Sequence, residues 1–262
     1  MNRAQAPGVD AIDWSRPWLA SWRGHGEALA ARALRVGVVA ALNGALTEPI
    51  GLPAGPLRFV DHAQRPVAEA YESFIARTAC VPTRENLHDF FSGLAWLVHP
   101  RLKRRLNELQ TAQIAGATKG APRGAVRDAL TLFDENAALL RAPPVLADAL
   151  RQRDWHALFV VHRAVWAEAR IELFGHALME KLLRPRAAIT AHVWLVPPTG
   201  ADSEAWTVDA LTPQRLGSGP FLPLPVLGVP GWWAGNESPE FYRDAAVFRP
   251  APIQTAARGP LF

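Results

Sequence analysis

Cysteine and lysine are nearly missing from this chain of 262 residues, and long apolar runs are missing altogether. Cys80 stands alone, so no internal disulfide can form and no cysteine-rich zinc cage can be built. No helical stretch reaches the roughly 18 uninterrupted apolar residues that a membrane span requires. The best of them, Val36 to Leu42, is flanked by Arg32, Arg35 and Asn43. The longer uncharged run from Leu216 to Asn236 contains Pro220, Pro223, Pro225 and Pro230, which forbid a continuous helix. The opening MNRAQAPGVDAIDWSRPW carries no apolar segment of the kind a secretory signal has. A cytoplasmic address with no membrane partner is therefore expected. Walker-type loops, GxGxxG, GxSxG and internal repeats are also missing, which removes the commonest nucleotide and nucleophile-elbow signatures.

What is present has the balance of a globular protein: 49% of residues are hydrophobic and 20% charged, so the chain can bury a core. Its length lies near the point at which one core divides into two, and one domain over 1–262 with an appended tail is the simpler expectation. The net charge of +4 would ordinarily point toward an anionic partner. Only Lys103, Lys119 and Lys181 are lysines, however, and arginine, alanine and proline are abundant together, as a coding bias would produce.

Helical periodicity dominates the first two thirds. Helices are expected over about 27–46, 68–77, 84–98 with a break at Pro100, 125–140 and 154–183. Thr83 is a candidate N-cap for the third of these. LRFV and ITAHVWLV read as strands. Beyond Pro185 the chain is rich in proline, and its Trp232, Trp233, Phe241 and Tyr242 would expose too much apolar area if left free. The expected fold is mainly α: a helical body over about 11–185, a few short strands, and a strand followed by an irregular segment over about 186–262 wrapping that body.

The blocks VPTRENLHDFF, LN at Leu106 and Asn107, RGAVRDALTLFDEN, FGHALMEK, TAH, LPVLGVPGWWAGN and FYRDAAVFRP occur in one order. Together they resemble the signature of the bacterial domain of unknown function 3025, over most of the chain from about Phe59 to Pro250. The resemblance implies no activity, so chemistry has to come from the residues.

On ideal helices, Arg84 and His88 fall one turn apart at the edge of an apolar face, with Asp89 about 100° further round. Glu172, His176 and Glu180 are spaced four apart, a carboxylate, imidazole, carboxylate stripe. This matches neither the Glu-x-x-His of diiron bundles nor the His-Glu-x-x-His of zinc proteases. Arg123, Arg127, Thr131 and Asp134 share the polar side of the next helix, and His192 sits on the expected strand.

Two function classes follow. The first is a metal-assisted hydrolase acting on an anionic small molecule or phosphoester. Its catalytic residues are His88, His176 and Glu180, and Arg84, Asn86, Arg123 and Arg127 hold the substrate. A divalent metal is its cofactor, on His176, Glu180, Asp134 and His192. The second class is a non-catalytic protein that binds nucleic acid or an acidic partner through the basic segment RLKRRLNELQ, residues 101–110. A decisive expectation separates site from scatter: Arg84, His88, Arg127, Asp134, His176 and Glu180 should line one pocket.

Overall fold

The computed structural model describes residues 8–117, 124–197 and 202–251. In chain order its elements are α1 (Arg23–Val36), α2 (Val38–Asn43), β1 (Gly51–Leu52), β2 (Gly55–Pro56), β3 (Arg58–Asp61), α3 (Tyr71–Thr78) and β4 (Cys80–Thr83). There follow α4 (Leu87–Val98), α5 (Pro100–Ala115), α6 (Ala125–Asn136), β5 (Ala137–Arg141), α7 (Pro144–Gln152), β6 (Arg170–Leu173) and α8 (His176–Lys181). The last are β7 (Thr190–Val196), α9 (Ser203–Ala210), α10 (Pro213–Gly217) and β8 (Leu222–Pro225).

A four-stranded sheet in the order β6-β5-β7-β8 organises the molecule. β5 pairs antiparallel with β6 and parallel with β7, and β7 pairs antiparallel with β8. Side chains alternate across β5 as the strand period requires. Ala138 and Leu140 enter a large core with Leu87, Phe91 and Leu94 of α4 and Leu178 of α8. Ala137 and Leu139 enter a second core with Leu102, Leu106 and Leu109 of α5 and Leu130 and Phe133 of α6. Trp22, fully buried, donates its indole N–H to the carbonyl of Leu173 at 2.7 Å, which fastens the N-terminal segment to β6.

The chain is thus mixed α/β, which corrects the mainly α expectation. β5 reads AALLR with no alternation, and β6 reads RIEL, an alternation only four residues long; both hold good helix formers, so tertiary pairing outweighs local preference. The helix expected over 154–183 is replaced by short π and 3-10 turns, β6 and α8. The helix expected over 27–46 breaks at Gly37, whose φ of 85° suits glycine, and Glu85 accepts the backbone N–H groups of Val38 and Val39 there. Asn86, not Thr83, caps α4. ITAHVWLV forms β7 as expected, while the stretch expected to be irregular from Pro197 supplies β8 to the main sheet, and Tyr242 stacks and Phe248 packs edge-on against Phe159 in the large core. Among the described residues no helix is long and apolar enough to cross a membrane.

Candidate functional site

α6 runs without a loop into β5, so Asp134 and Glu135 sit on its last turn beside the sheet. At the end of β6 the chain folds back onto the same spot, where Phe174 and Gly175 both donate N–H to the carbonyl of Ala137 at 2.9 Å. A Cβ on Gly175 would lie 2.4 Å from the backbone nitrogen of Asn136 and 2.5 Å from the carbonyl oxygen of Glu135. Only glycine allows that approach, and it sets His176, the first residue of α8, against the two carboxylates. α4 packs on α8 and brings His88 from the other side.

His88 and His176 face each other through their Nε2 atoms, 3.1 Å apart, with rings near perpendicular. Behind His88, its Nδ1 lies 3.1 Å from Oε2 of Glu180. Behind His176, Nδ1 lies 3.8 Å from Oδ2 of Asp134, and Nε2 lies 3.6 Å from Oε2 of Glu135. A carboxylate only accepts, so Nδ1 of His88, which faces Glu180, favours carrying the proton and leaves Nε2 as the acceptor. Nδ1 of His176 is enclosed with no hydrogen-bond partner among the described residues, and its Nε2 faces both His88 and Glu135, so two imidazole nitrogens and a carboxylate oxygen converge on one point that a cation could occupy.

The spacing suits such a cation. Ligand atoms about 2.0–2.1 Å from a tetrahedral ion lie roughly 3.3–3.4 Å from one another, and the distances of 3.1 and 3.6 Å bracket that value. His88, Glu135 and His176 each offer one atom, all within 4.8 Å of one another. Glu180 stands behind His88, where a carboxylate could orient a ligating imidazole.

Asp134 is itself held by a buried lysine: Lys103 Nζ donates to its Oδ1 at 2.6 Å and lies over the ring of Trp96. Burial would raise the Asp134 carboxyl, but the charges of Lys103 and His176 outweigh it and hold the group below the usual carboxylate range. His176 is driven down from 6.5 to about 4, first by burial and against the pull of Asp134. Burial raises Glu135, with Asp134 adding to the effect against the pull of His88. Burial and Asp134 also raise Glu72, which accepts from Asn107.

These groups open into a pocket of about 290 Å3. Arg84 and Arg127 stand on its wall, with Tyr71, Glu72 and Asp89 beside them. Arg84 donates to Nε2 of His62 at 3.1 Å. Arg127 has its Nε enclosed with no hydrogen-bond partner among the described residues.

The profile of a family described as protein of unknown function, DUF3025, matches residues 57–252 of the chain. The chain belongs to the DUF3025 family. Every residue of the histidine and carboxylate cluster lies inside the matched span. Comparisons with curated proteins and with solved structures find no match.

In this DUF3025 chain Arg84, His88, Arg127, Asp134 and His176 line one pocket, and Glu180 adjoins it through His88. Other expected residues do not join them. Asn86 spends its side chain capping α4, accepting from the N–H of Asp89 at 2.8 Å. His192 lines a separate pocket beside Trp155. Arg123 lies outside the described residues. Glu172 is on β6 and meets His99 at 3.2 Å, so the carboxylate, imidazole, carboxylate stripe is not a helical one. Arg84 precedes α4 instead of lying one turn before His88, and Asp89 accepts the Arg84 backbone N–H at 2.6 Å.

The basic segment 101–110 does not present a free cationic face. Arg101 meets Asp202 and Glu204, Arg104 and Arg105 meet Glu108, and Lys103 is buried on Asp134. Glu135, Lys103, Glu72 and Tyr71 are the site groups that sequence reasoning did not assign. A signal for Lys103 existed: Lys103, Asn107 and Gln110 form a polar stripe beside Leu102, Leu106 and Leu109, and both stripes are buried.

Proposed function

We propose that the pocket holds a divalent metal ion and that the protein is a metal-assisted hydrolase of small anionic esters, phosphomonoesters foremost. The observation that carries this reading is the pair of Nε2 atoms 3.1 Å apart with a carboxylate oxygen 3.6 Å from one of them. His88, His176 and Glu135 are the ligands, a two-histidine, one-carboxylate set that leaves a coordination position open. Glu180 keeps the His88 imidazole in the ligating tautomer, Asp134 adds its charge 3.8 Å from Nδ1 of His176, and Lys103 keeps Asp134 ionised. The ion supplies acidification of a coordinated water and neutralisation of the phosphoryl charge.

Arg84 and Arg127 are the substrate-holding residues. Planar guanidinium groups match phosphate oxygens in pairs, and the enclosed Nε of Arg127 lacks a protein partner that a phosphate oxygen would supply. In hydrolysis a water oxygen bonds to phosphorus, the ester P–O bond breaks, and the proton given up by water ends on the leaving oxygen. A nucleic-acid or acidic partner on 101–110 has less support, because carboxylates already face its cations.

The test is turnover of p-nitrophenyl phosphate with added manganese, zinc or magnesium. Metal-dependent turnover should fall by about two orders of magnitude in His176→Ala and Glu135→Gln, and Arg127→Gln should lower kcat/KM by roughly tenfold or more. Turnover indifferent to all three substitutions would overturn the assignment.

A further inference from the structure

His192, set aside from the metal cluster, lines a second pocket of about 370 Å3, a volume within the ordinary range for small-ligand sites. Its residues are all different from those of the first. Arg153 and Arg249 stand on its wall with His192 and Thr190, and Trp155, Pro223 and Pro225 form an apolar side. No carboxylate among the described residues lines it, whereas the first pocket has Glu72, Asp89, Asp134 and Glu135.

The polar groups here have few protein partners. The His192 imidazole makes no hydrogen bond among the described residues, and its Nδ1 is enclosed without one. Burial and the nearby charge of Lys181 both disfavour its protonation. No carboxylate lies within ion-pair reach of Arg153 among the described residues. Arg153 also ends α7 at φ 52°, a left-handed position where glycine is cheaper, so an arginine there calls for a reason in its side chain. Arg249 is fixed from behind: the Trp155 indole donates to its carbonyl at 2.7 Å, and its Nε donates to the carbonyl of Ala246 at 3.1 Å. Those bonds leave its two terminal nitrogens available.

Two unneutralised guanidiniums beside a tryptophan and two prolines make a receptor for a charged oxygen group on an apolar body. We propose that this pocket is a second ligand site, taking a small organic oxyanion, a carboxylate or phosphate carried on an aromatic or aliphatic group, with Arg153 and Arg249 as its anion holders. It stands independently of any metal in the first pocket.

Isothermal titration of the full chain in the presence of EDTA tests this, with benzoate, phenyl phosphate, inorganic phosphate and benzyl alcohol as probes. Benzoate or phenyl phosphate should bind saturably, and which of the two binds more tightly tells carboxylate from phosphate. Benzyl alcohol should not bind, and inorganic phosphate should bind more weakly than phenyl phosphate. Arg153→Gln and Arg249→Gln should each weaken binding by roughly tenfold, the loss expected for one charge-assisted hydrogen bond, with the circular dichroism spectrum unchanged. His88→Ala should leave the affinity as it is. The proposal is overturned if both glutamine variants bind as wild type does, if His88→Ala abolishes binding, or if neither organic anion binds more tightly than about 10 mM.

Discussion

The two pockets lie close in the fold, for His192 pairs across the sheet with Ala137, which directly follows α6 and its Asp134 and Glu135. Their polar groups are nonetheless arranged in opposite ways. In the first pocket a chain of partners runs from Lys103 through Asp134, His176 and His88 to Glu180, and carboxylates stand beside its cationic groups. In the second, arginines and a histidine stand without carboxylates among the described residues. A buried polar network is costly unless complete; on the reading proposed above, the first pocket calls for a cation between its imidazoles with an anion at Arg127, and the second calls for an anion alone.

The sharpest way to break that contrast is to remove Lys103. It is 5% exposed, and Lys103→Met would leave Asp134 buried and unpaired, at a cost of about 3–5 kcal/mol. Chemical denaturation should report this, with much of the loss recovered when Asp134→Leu is added. Arg101→Ala, which breaks an exposed pair of the same basic segment, should barely move the midpoint. Equal effects for the two substitutions would erase the distinction between the wired pocket and its surface.

Acidification comes next. The folded-state value of His176 near 4 lies below its ordinary 6.5, so between those values the unfolded chain takes up a proton that the folded chain refuses. Stability from this residue is complete above about pH 6.5 and declines as pH falls toward 4, by roughly 3 kcal/mol in all. His176→Gln should flatten that slope in a series of denaturation curves, and an unchanged slope would place the titration elsewhere.

Gly175→Ala tests how the first pocket is assembled. The added methyl overlaps backbone atoms of Glu135 and Asn136, not a movable side chain, so a loss of about 1–3 kcal/mol is expected. It should be accompanied by weaker metal binding. Metal itself should raise the thermal midpoint, by an amount equivalent to about 2.7 kcal/mol at a hundredfold excess over Kd, and His88→Ala should abolish the rise. No such shift is expected from metal at the second pocket. The smallest effect falls there, where Arg153→Gln should change anion affinity while leaving stability almost untouched.

Much of the first pocket was legible because its residues interrupt apolar helical patterns. His88 follows Leu87 and precedes Phe90 and Phe91, and Asp134 follows Phe133; polar groups at such borders meet where helices pack. The sheet was less legible, since Ala and Leu in β5 favour helix locally and only pairing with β6 and β7 makes them a strand. A second missed strand, β6, explains another error. With β6 read as helix, Glu172 fell on one stripe with His176 and Glu180. Lys103 was hidden for a different reason: three arginines surround it in sequence, and charge runs ordinarily face water. His192 drew attention as a possible ligand, yet nothing in one strand's alternation tells which pocket a side chain will join.

Because the contrast between the pockets rests on a cation shared by His88, His176 and Glu135, X-ray absorption at the zinc edge tests it most directly, on protein loaded with one equivalent of zinc and desalted. The account predicts one retained ion per chain with two imidazole nitrogens and at least one oxygen at about 2.0–2.2 Å, and loss of the imidazole signal in His176→Ala. A folded protein that keeps no zinc, or keeps it without imidazole in its coordination sphere, would contradict the account.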